Sequence, residues 1–368
     1  MNIFLAGTSL LPSYGGPAYS VARLAAALAV AGARVALWAA DQSVSSMPFP
    51  TDDRVRLMTG KAADALAEFG ATDVLHDNGI WLRHNHQLAV LAAHRHIPRV
   101  VSMRGMLAPW AFHHKRLKKW LAWRLYQRRD LRRAQLLHTT AAPEACNLEG
   151  FGLGVPVCMI PNGIDLPDIE LGKAAARKAC ATQQLTALFL GRIYPVKGLP
   201  MLIEAWGRVR PKDWRLQIAG PDEAGHRAEV ERAVSVAGLN GVVSFLGPIE
   251  GEAKSGAYFN ANFFILPSYS ESFGMVVAEA LAHGLPVLTT NAAPWPELAV
   301  RGCGWLVDPT VDGIAQGLWQ ATSQEPAALR GMGAKGRDWV AADFAWHAVA
   351  DRFLAAYKQL RACTKSEG

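Results

Sequence analysis

Residues 188–199 read Leu188-Phe189-Leu190-Gly191-Arg192-Ile193-Tyr194-Pro195-Val196-Lys197-Gly198-Leu199. An apolar run of strand character passes into a glycine-containing loop that carries two cations, and Pro200-Met201-Leu202-Ile203-Glu204-Ala205-Trp206 continues with helical spacing. A loop at the carboxyl end of a strand and ahead of a helix is where open α/β sheets bind ligands. Arginine can grip a diphosphate bidentately, and lysine adds a mobile point charge. Taken alone, the loop is better read as two solvated cations.

Working outward, apolar strand-like runs alternate with helical stretches along the whole chain, the pattern of parallel α/β sheets. The pattern predicts strands near 2–7, 34–39, 73–76, 99–102, 135–138 and 157–160, then near 185–190, 215–219, 242–246, 262–266 and 286–290. Between the two sets lies Pro161-Asn162-Gly163-Ile164-Asp165, a turn-forming sequence that marks a domain crossing. The stretch from Ala345 to Leu360 reads as an amphipathic helix. A length of 368 residues suits two domains, each with its own core, and 51% hydrophobic against 19% charged residues excludes a largely disordered chain. Cys146, Cys158, Cys180, Cys303 and Cys363 are scattered without a C-x-x-C pair, as expected of reduced thiols in a cytoplasmic protein. The chain opens directly on strand-like Asn2-Ile3-Phe4-Leu5-Ala6 with no signal-peptide pattern, and the early apolar run Leu24 to Ala40 is broken by Arg34, so no membrane span is expected.

Downstream of the cationic loop stands Tyr269-Ser270-Glu271-Ser272-Phe273-Gly274-Met275-Val276-Val277-Ala278-Glu279. A carboxylate in a Ser/Gly turn precedes an apolar run and a second carboxylate, which fits a loop entering a helix. The helix ends at Gly284, suited to a left-handed cap, and Pro286-Val287-Leu288-Thr289-Thr290 follows as a strand. On a helix, Glu279 would lie within about 80° of the azimuth of Glu271 and about 12 Å along the axis. Both acids could then meet one elongated ligand, with the helix N-terminal amides between them attracting an anion. A bare pair at this spacing is ordinarily two exposed glutamates on a surface helix, and only the upstream cationic loop argues against that reading.

Together these two motifs resemble the retaining, family-4-type (group 1) glycosyltransferases of bacterial polysaccharide and lipid-linked glycan synthesis. The resemblance covers nearly the whole chain and implies the GT-B fold: α/β, two Rossmann-like parallel-sheet domains facing across a deep cleft. The expected domains are residues 1–164 plus about 345–368 on the acceptor side, and 165–344 for the nucleotide-sugar donor, the final helix packing back across the first domain. By the resemblance, Arg192 and Lys197 hold the donor diphosphate, Glu271 contacts the donor sugar and Glu279 binds the ribose hydroxyls. The amides of Phe273, Gly274 and Met275 meet sugar and phosphate. Ile249, after Phe245-Leu246-Gly247-Pro248, occupies the position whose backbone meets the nucleobase. Tyr14-Gly15-Gly16-Pro17-Ala18 permits close backbone approach to phosphate or sugar, and Gly16 becomes a donor contact, although the stretch also suits an ordinary turn and is no G-x-G-x-x-G fingerprint.

The acceptor is expected on the first domain, in His76-Asp77-Asn78-Gly79-Ile80-Trp81-Leu82-Arg83-His84-Asn85-His86. Asn78, Trp81 and His84 are the acceptor candidates, because aromatic and polar side chains suit the apolar faces and hydroxyl edges of a sugar; a structural loop is the alternative. The three histidines lack a metal-ligand pattern. Where many relatives carry His-Gly after the fourth strand, this chain has Val101-Ser102-Met103-Arg104-Gly105-Met106. Arg104 cannot act as a base at ordinary pH. It could stabilise the leaving diphosphate, grip an anionic acceptor or serve in a structural ion pair.

From His113 to Ala134 the cations Lys115, Arg116, Lys118, Lys119, Arg124, Arg128, Arg129, Arg132 and Arg133 face one acid, Asp130. A uniform helical wheel sets Lys115, Lys118, Lys119, Arg129 and Arg133 on one arc and Leu117, Trp120, Leu121 and Leu131 opposite. Such a helix either rests on an anionic membrane surface, which would suit a polyprenyl-diphosphate-linked acceptor, or packs its apolar side on the core. Nucleic acid is not expected, since the +7 net charge is accompanied by no reader motif.

The resulting expectation is hexose transfer from a UDP- or GDP-sugar to a glycan or lipid-linked hydroxyl, at the cytoplasmic face of a membrane. The chain contains no D-x-D, so neither metal nor cofactor is expected, and Arg192, Lys197 and helix N-terminal amides would neutralise the leaving group. Two rivals are a GT-B-fold nucleotide-sugar epimerase, which needs acids and bases around the sugar, and a non-catalytic nucleotide-sugar-binding subunit. The full set Arg192, Lys197, Glu271 and Glu279 favours a transferase.

Overall fold

The computed structural model describes residues 1–47, 52–107, 116–170, 172 and 184–366. The chain divides into two compact units, Met1–Gly163 with Trp346–Gly368, and Ile164–Ala345.

The first unit is a seven-stranded sheet of β1 (Asn2–Gly7), β2 (Arg34–Ala39), β3 (Val55–Met58), β4 (Val74–Asn78), β5 (Arg99–Ser102), β6 (Leu136–Thr139) and β7 (Val157–Met159). All pairings are parallel, in the order β3-β2-β1-β4-β5-β6-β7. β1 is apolar at consecutive positions because both of its faces are covered. Ile3 and Leu5 pack against Leu24, Leu28 and Phe353, whereas Phe4 and Ala6 pack against Leu66, Phe69 and Leu88. The helix Trp346–Ser366 belongs to this unit: Val349, Phe353 and Tyr357 lie in the same cluster as Ile3 and Leu5.

The second unit is a six-stranded parallel sheet of β8 (Leu185–Leu190), β9 (Trp214–Ala219), β10 (Val243–Gly247), β11 (Phe263–Leu266), β12 (Val287–Thr290) and β13 (Gly304–Val307), in the order β10-β9-β8-β11-β12-β13. Its core holds the fully buried Phe189, Trp206, Phe263, Phe264 and Trp295. Ile164 N donates to Phe344 O at 2.8 Å, so the segments that begin and end this unit run side by side.

Two strands lie outside the sequence expectation. β3 is four residues long at the sheet edge, with Arg56 and Leu57 both exposed in its middle, and a short half-covered edge strand carries little periodic signal. β13 is an equally short edge strand of which only Gly304 is buried. Both sheets reverse their strand order once, β1 against β4 and β8 against β11. The crevice outside the carboxyl ends at such a reversal is the ligand position of open α/β sheets.

The basic stretch departs from a uniform wheel. Helix Arg116–Ala122 passes through a π-helical segment, Trp123–Gln127, into helix Arg128–Arg132. A π turn inserts an extra residue and shifts the phase of everything after it. Leu131 is accordingly buried, while Leu117, Trp120, Leu121 and Leu125 are exposed, so the four apolar residues expected on one arc do not share a face. Asp130, the one acid of the stretch, is buried and accepts from His86 Nδ1 at 2.6 Å. His113 and Lys115 lie outside the described residues. Among the described residues, no helix is long and apolar enough to cross a membrane.

Candidate active site

β8 ends at Leu190, and the following Gly191–Gly198 loop meets the loop after β11 at the strand-order reversal of the second unit. Tyr269 N donates to Val196 O at 2.8 Å, tying the two loops backbone to backbone. Gly198 is required on two counts: its φ is +66°, and a Cβ there would stand 2.3 Å from Pro267 O. This junction carries the central contact. Lys197 Nζ donates to Glu271 Oε1 at 2.5 Å, and Ser268 Oγ donates to the same oxygen at 2.6 Å. Both members of the ion pair are nearly buried, at 13% and 10% exposure. Thr289 and Thr290 of β12 donate their hydroxyls to Leu266 O and Ser268 O, fixing the path of the β11 loop from the side.

Glu271 therefore lies in a loop, and the helical azimuth expected for it does not apply: the helix begins only at Met275 and runs to Ala282. Gly274 caps its N-terminus in the left-handed region, φ +79°. Phe273 points inward, buried in the core cluster with Trp295, whose Nε1 donates to Phe273 O at 2.6 Å. Only the backbone of Phe273 is thus available to a ligand. The first N–H groups of the helix lack intrahelical partners and aim along its axis.

Glu279, on the second turn of this helix, accepts from Lys254 Nζ at 2.7 Å and from Tyr258 OH at 2.9 Å. Arg192 is more open and donates to Glu223 Oε2 at 2.6 Å. Ile249 follows β10 with its side chain against the core. Glu223, Lys254, Tyr258 and Ser268 carry no sequence signal of these roles. Only the i, i+4 spacing of Lys254 and Tyr258 places that pair on one helix face.

In the first unit the candidates fall into separate environments. Arg104, at positive φ of 53°, donates through Nη2 to Asn78 Oδ1 at 2.7 Å and through Nη1 to Asn162 Oδ1 at 2.6 Å. Its two partners are neutral amides, in place of the carboxylate of a structural ion pair. Burial pulls the guanidinium down to about 10, opposed by the charge of Glu144, and it is protonated at neutral pH. Asn78 is buried, and its amide nitrogen donates to Ala6 O. His84 Nε2 is 3.2 Å from Thr8 Oγ1, where the loops after β1 and β4 meet. Trp81, φ +80°, is built into the wall by Gln127, Met106 and Tyr126, with Lys119 Nζ 5.6 Å above its ring. Gly16 is exposed at the start of the helix Gly16–Val30, and nothing lies within 4 Å of where its Cβ would stand. The three histidines of the 76–86 loop diverge to Tyr357 and Ser102, to Thr8, and to Asp130.

This architecture agrees with known proteins. Residues 15–163 match the family profile described as a glycosyl transferase 4-like domain, and residues 184–324 match that of glycosyl transferases group 1. A D-inositol 3-phosphate glycosyltransferase of Mycolicibacterium smegmatis is 33% identical over 208 residues, covering 54% of this chain and 46% of that protein. One of Segniliparus rotundus is 35% identical over 214 residues, with the same two coverages of 54% and 46%. The chain spans about half the length of these relatives. Among solved structures, sucrose-phosphate synthase of Thermosynechococcus elongatus superposes with a TM-score of 0.77 at 21% identity, covering 99% of this chain and 100% of that one. Anabaena HepE in complex with UDP-glucose superposes with 0.71 at 17% identity, covering 98% and 100%. At those identities the likeness is one of fold, and with a profile on each of its two sheets the chain belongs to the group 1, family-4-type glycosyltransferases of the GT-B fold.

Proposed function

We propose that the protein transfers a hexose from a nucleoside-diphosphate sugar to a hydroxyl of a glycan or lipid-linked glycan, with retention at the anomeric carbon and without a metal ion. The observation that carries this reading is the Lys197–Glu271 pair at the strand-order reversal of the second unit. One cation and one acid placed together there suit a phosphate and the sugar attached to it. Lys197 and Arg192 neutralise the departing diphosphate with the amides of Phe273, Gly274 and Met275, which lead into the helix N-terminus. Glu271 keeps Oε2 to accept from a sugar hydroxyl, Glu279 takes the ribose, and the backbone at Ile249 borders the base. The anomeric C–O bond breaks with its electron pair leaving on the diphosphate; the acceptor oxygen then adds to the same face and passes its proton to the departing phosphate oxygen. Support for a nucleotide-sugar donor comes from the Anabaena relative, solved with UDP-glucose.

The acceptor belongs with the first unit, where Asn78 and Asn162 hold the Arg104 guanidinium without neutralising it. A protonated guanidinium between neutral amides suits a phosphate on the acceptor or on the leaving group. Trp81 and His84 border the same carboxyl edge of the sheet. The exposed Leu117, Trp120, Leu121 and Leu125, among Lys118, Arg124 and Arg128, suit an anionic membrane surface on the cytoplasmic side that presents a polyprenyl-diphosphate-linked acceptor.

A thermal-shift screen of UDP, GDP and their sugars tests the donor site, repeated with Arg192→Ala. Stabilisation by one nucleotide that the variant loses is the expected result. Absence of any shift, or an equal shift in the variant, overturns the reading. Product analysis with and without acceptor separates transfer from epimerisation or mere binding.

A further inference from the structure

Glu279 does not stand alone on its helix. The neighbouring helix Gly251–Phe259 reaches it twice, with Lys254 Nζ on Oε1 at 2.7 Å and Tyr258 OH on Oε2 at 2.9 Å. Tyr258 is fully buried, and its hydroxyl has one proton to give. The Val276 carbonyl, at 3.5 Å, is the poorer acceptor, so that proton belongs to the carboxylate. Burial beside Glu279 holds the phenol well above its ordinary range, which keeps it a donor at every physiological pH.

A second layer locks the pair of helices. His283 Nδ1 lies 2.7 Å from Glu279 O, and a carbonyl can only accept, so Nδ1 carries the ring proton. Nε2 then accepts from Ser255 Oγ at 3.1 Å. The His283 ring stacks on Tyr258 with centroids 4.6 Å apart. Lys254, Ser255 and Tyr258 thus fasten one helix to the other, and each carboxylate oxygen of Glu279 receives one donor. A carboxylate oxygen offers about two acceptor positions, so one remains on each. The Glu279 side chain is 17% exposed, so part of it reaches solvent.

We propose that Lys254 and Tyr258 are positioning residues for nucleoside recognition: they hold the Glu279 carboxylate so that its two remaining acceptor positions meet the two hydroxyls of a ribose. Two vicinal hydroxyls present paired donors at a spacing that a carboxylate matches only in one orientation. Without the clamp, a glutamate with three rotatable bonds would lose that orientation to rotamer freedom on each binding event. The inference rests on the reading of Glu279 as the ribose contact.

The test measures dissociation constants by calorimetry for UDP, GDP and their 2′,3′-dideoxy counterparts, on wild type, Lys254→Met, Lys254→Arg and Tyr258→Phe. Wild type should bind the better ribonucleotide about tenfold more tightly than its dideoxy form, the scale of hydrogen bonds to a charged group. Lys254→Met and Tyr258→Phe should each lose most of that ratio while binding the dideoxy nucleotide as wild type does, and Lys254→Arg should restore it. A merely structural role would weaken both nucleotides alike and leave the ratio intact. Were wild type to bind neither nucleotide, or both forms equally, the ribose reading of Glu279 would fall and the inference with it. Were wild type to discriminate and both variants to keep the full ratio, the ribose reading would survive and the positioning role would be overturned.

Discussion

Lys197 Nζ and Glu271 Oε1 meet at 2.5 Å across the point where the second sheet reverses its strand order. They come from different loops, separated in sequence by three strands' worth of chain, and the reversal is what makes those loops neighbours. The pair is nearly desolvated, so each charge depends on the other.

Lys197→Met strands a carboxylate that has already left bulk water. We expect a loss of about 2 kcal/mol of stability, together with loss of the nucleotide-induced thermal shift. Lys197→Met with Glu271→Gln should recover much of the stability and none of the nucleotide response. Urea denaturation of the two single variants and the double variant checks the coupling.

Glu223 behaves in the opposite sense. Its pair with Arg192 is exposed, 41% and 59%, and such pairs contribute at most about 1 kcal/mol. Glu223→Gln should leave the melting temperature unchanged and strengthen nucleoside diphosphate binding by about threefold, because Arg192 no longer has to exchange a carboxylate for a phosphate. Calorimetry showing weaker binding would assign Glu223 a supporting role in place of a competing one.

A buried relay predicts acid sensitivity. His138 Nε2 faces Ile160 O at 2.8 Å and must donate, so its Nδ1 accepts from Ser102 Oγ, 2.6 Å away. Ser102 in turn accepts from His76 Nε2, and His76 Nδ1 accepts from Tyr357 OH. Every proton in this chain is assigned, and adding one to either ring breaks it. Burial drives His76 well below 6.5 and His138 down to about 3, with the charge of Arg104 acting in the same direction. The folded state therefore keeps both rings neutral, while the unfolded chain takes up protons below about pH 6.5. Stability is complete above that pH and falls as pH decreases toward the folded values, by about 2 kcal/mol at pH 5 for His138, with His76 acting in the same direction. Denaturation curves at pH 7.5, 6 and 5 follow the loss, and His138→Asn should flatten it.

Two glycines, one in each unit, separate conformation from function. Gly198→Ala puts a Cβ against Pro267 O at positive φ and should cost about 1–3 kcal/mol. Gly16→Ala meets open space at the start of a helix and should leave the melting temperature unchanged. A fall in transfer rate with Gly16→Ala, at unchanged stability, would assign its backbone to the substrate.

Replacing Trp120 and Leu121 by serine removes exposed apolar surface without touching the core. Sedimentation with phosphatidylcholine vesicles doped with phosphatidylglycerol should fall severalfold, and raised salt should weaken what remains. Equal sedimentation of the variant would refute the membrane-facing role of this segment.

Strand-loop-helix order was legible because both sheets are parallel and covered on two faces. Their strands therefore carry unbroken apolar runs such as residues 3–6 and 187–190. The short edge strand Val55–Met58 is interrupted by Arg56, and Gly304–Val307, though apolar, is four residues long and only partly covered. The basic segment misled a uniform wheel because a π turn is a backbone event, and nothing in its composition marks the extra residue.

The sequence by itself determined the two-sheet α/β class, the carboxyl-edge loops and the residue types Arg192, Lys197, Glu271 and Glu279, since these follow from local periodicity and motif spacing. Only the tertiary structure decided which charges meet: Lys197 with Glu271, Arg192 with Glu223, and Glu279 with Lys254 and Tyr258. Ion pairing depends on distances of a few ångströms between loops remote in the chain. Those distances are set by sheet order and helix packing, which local sequence does not encode.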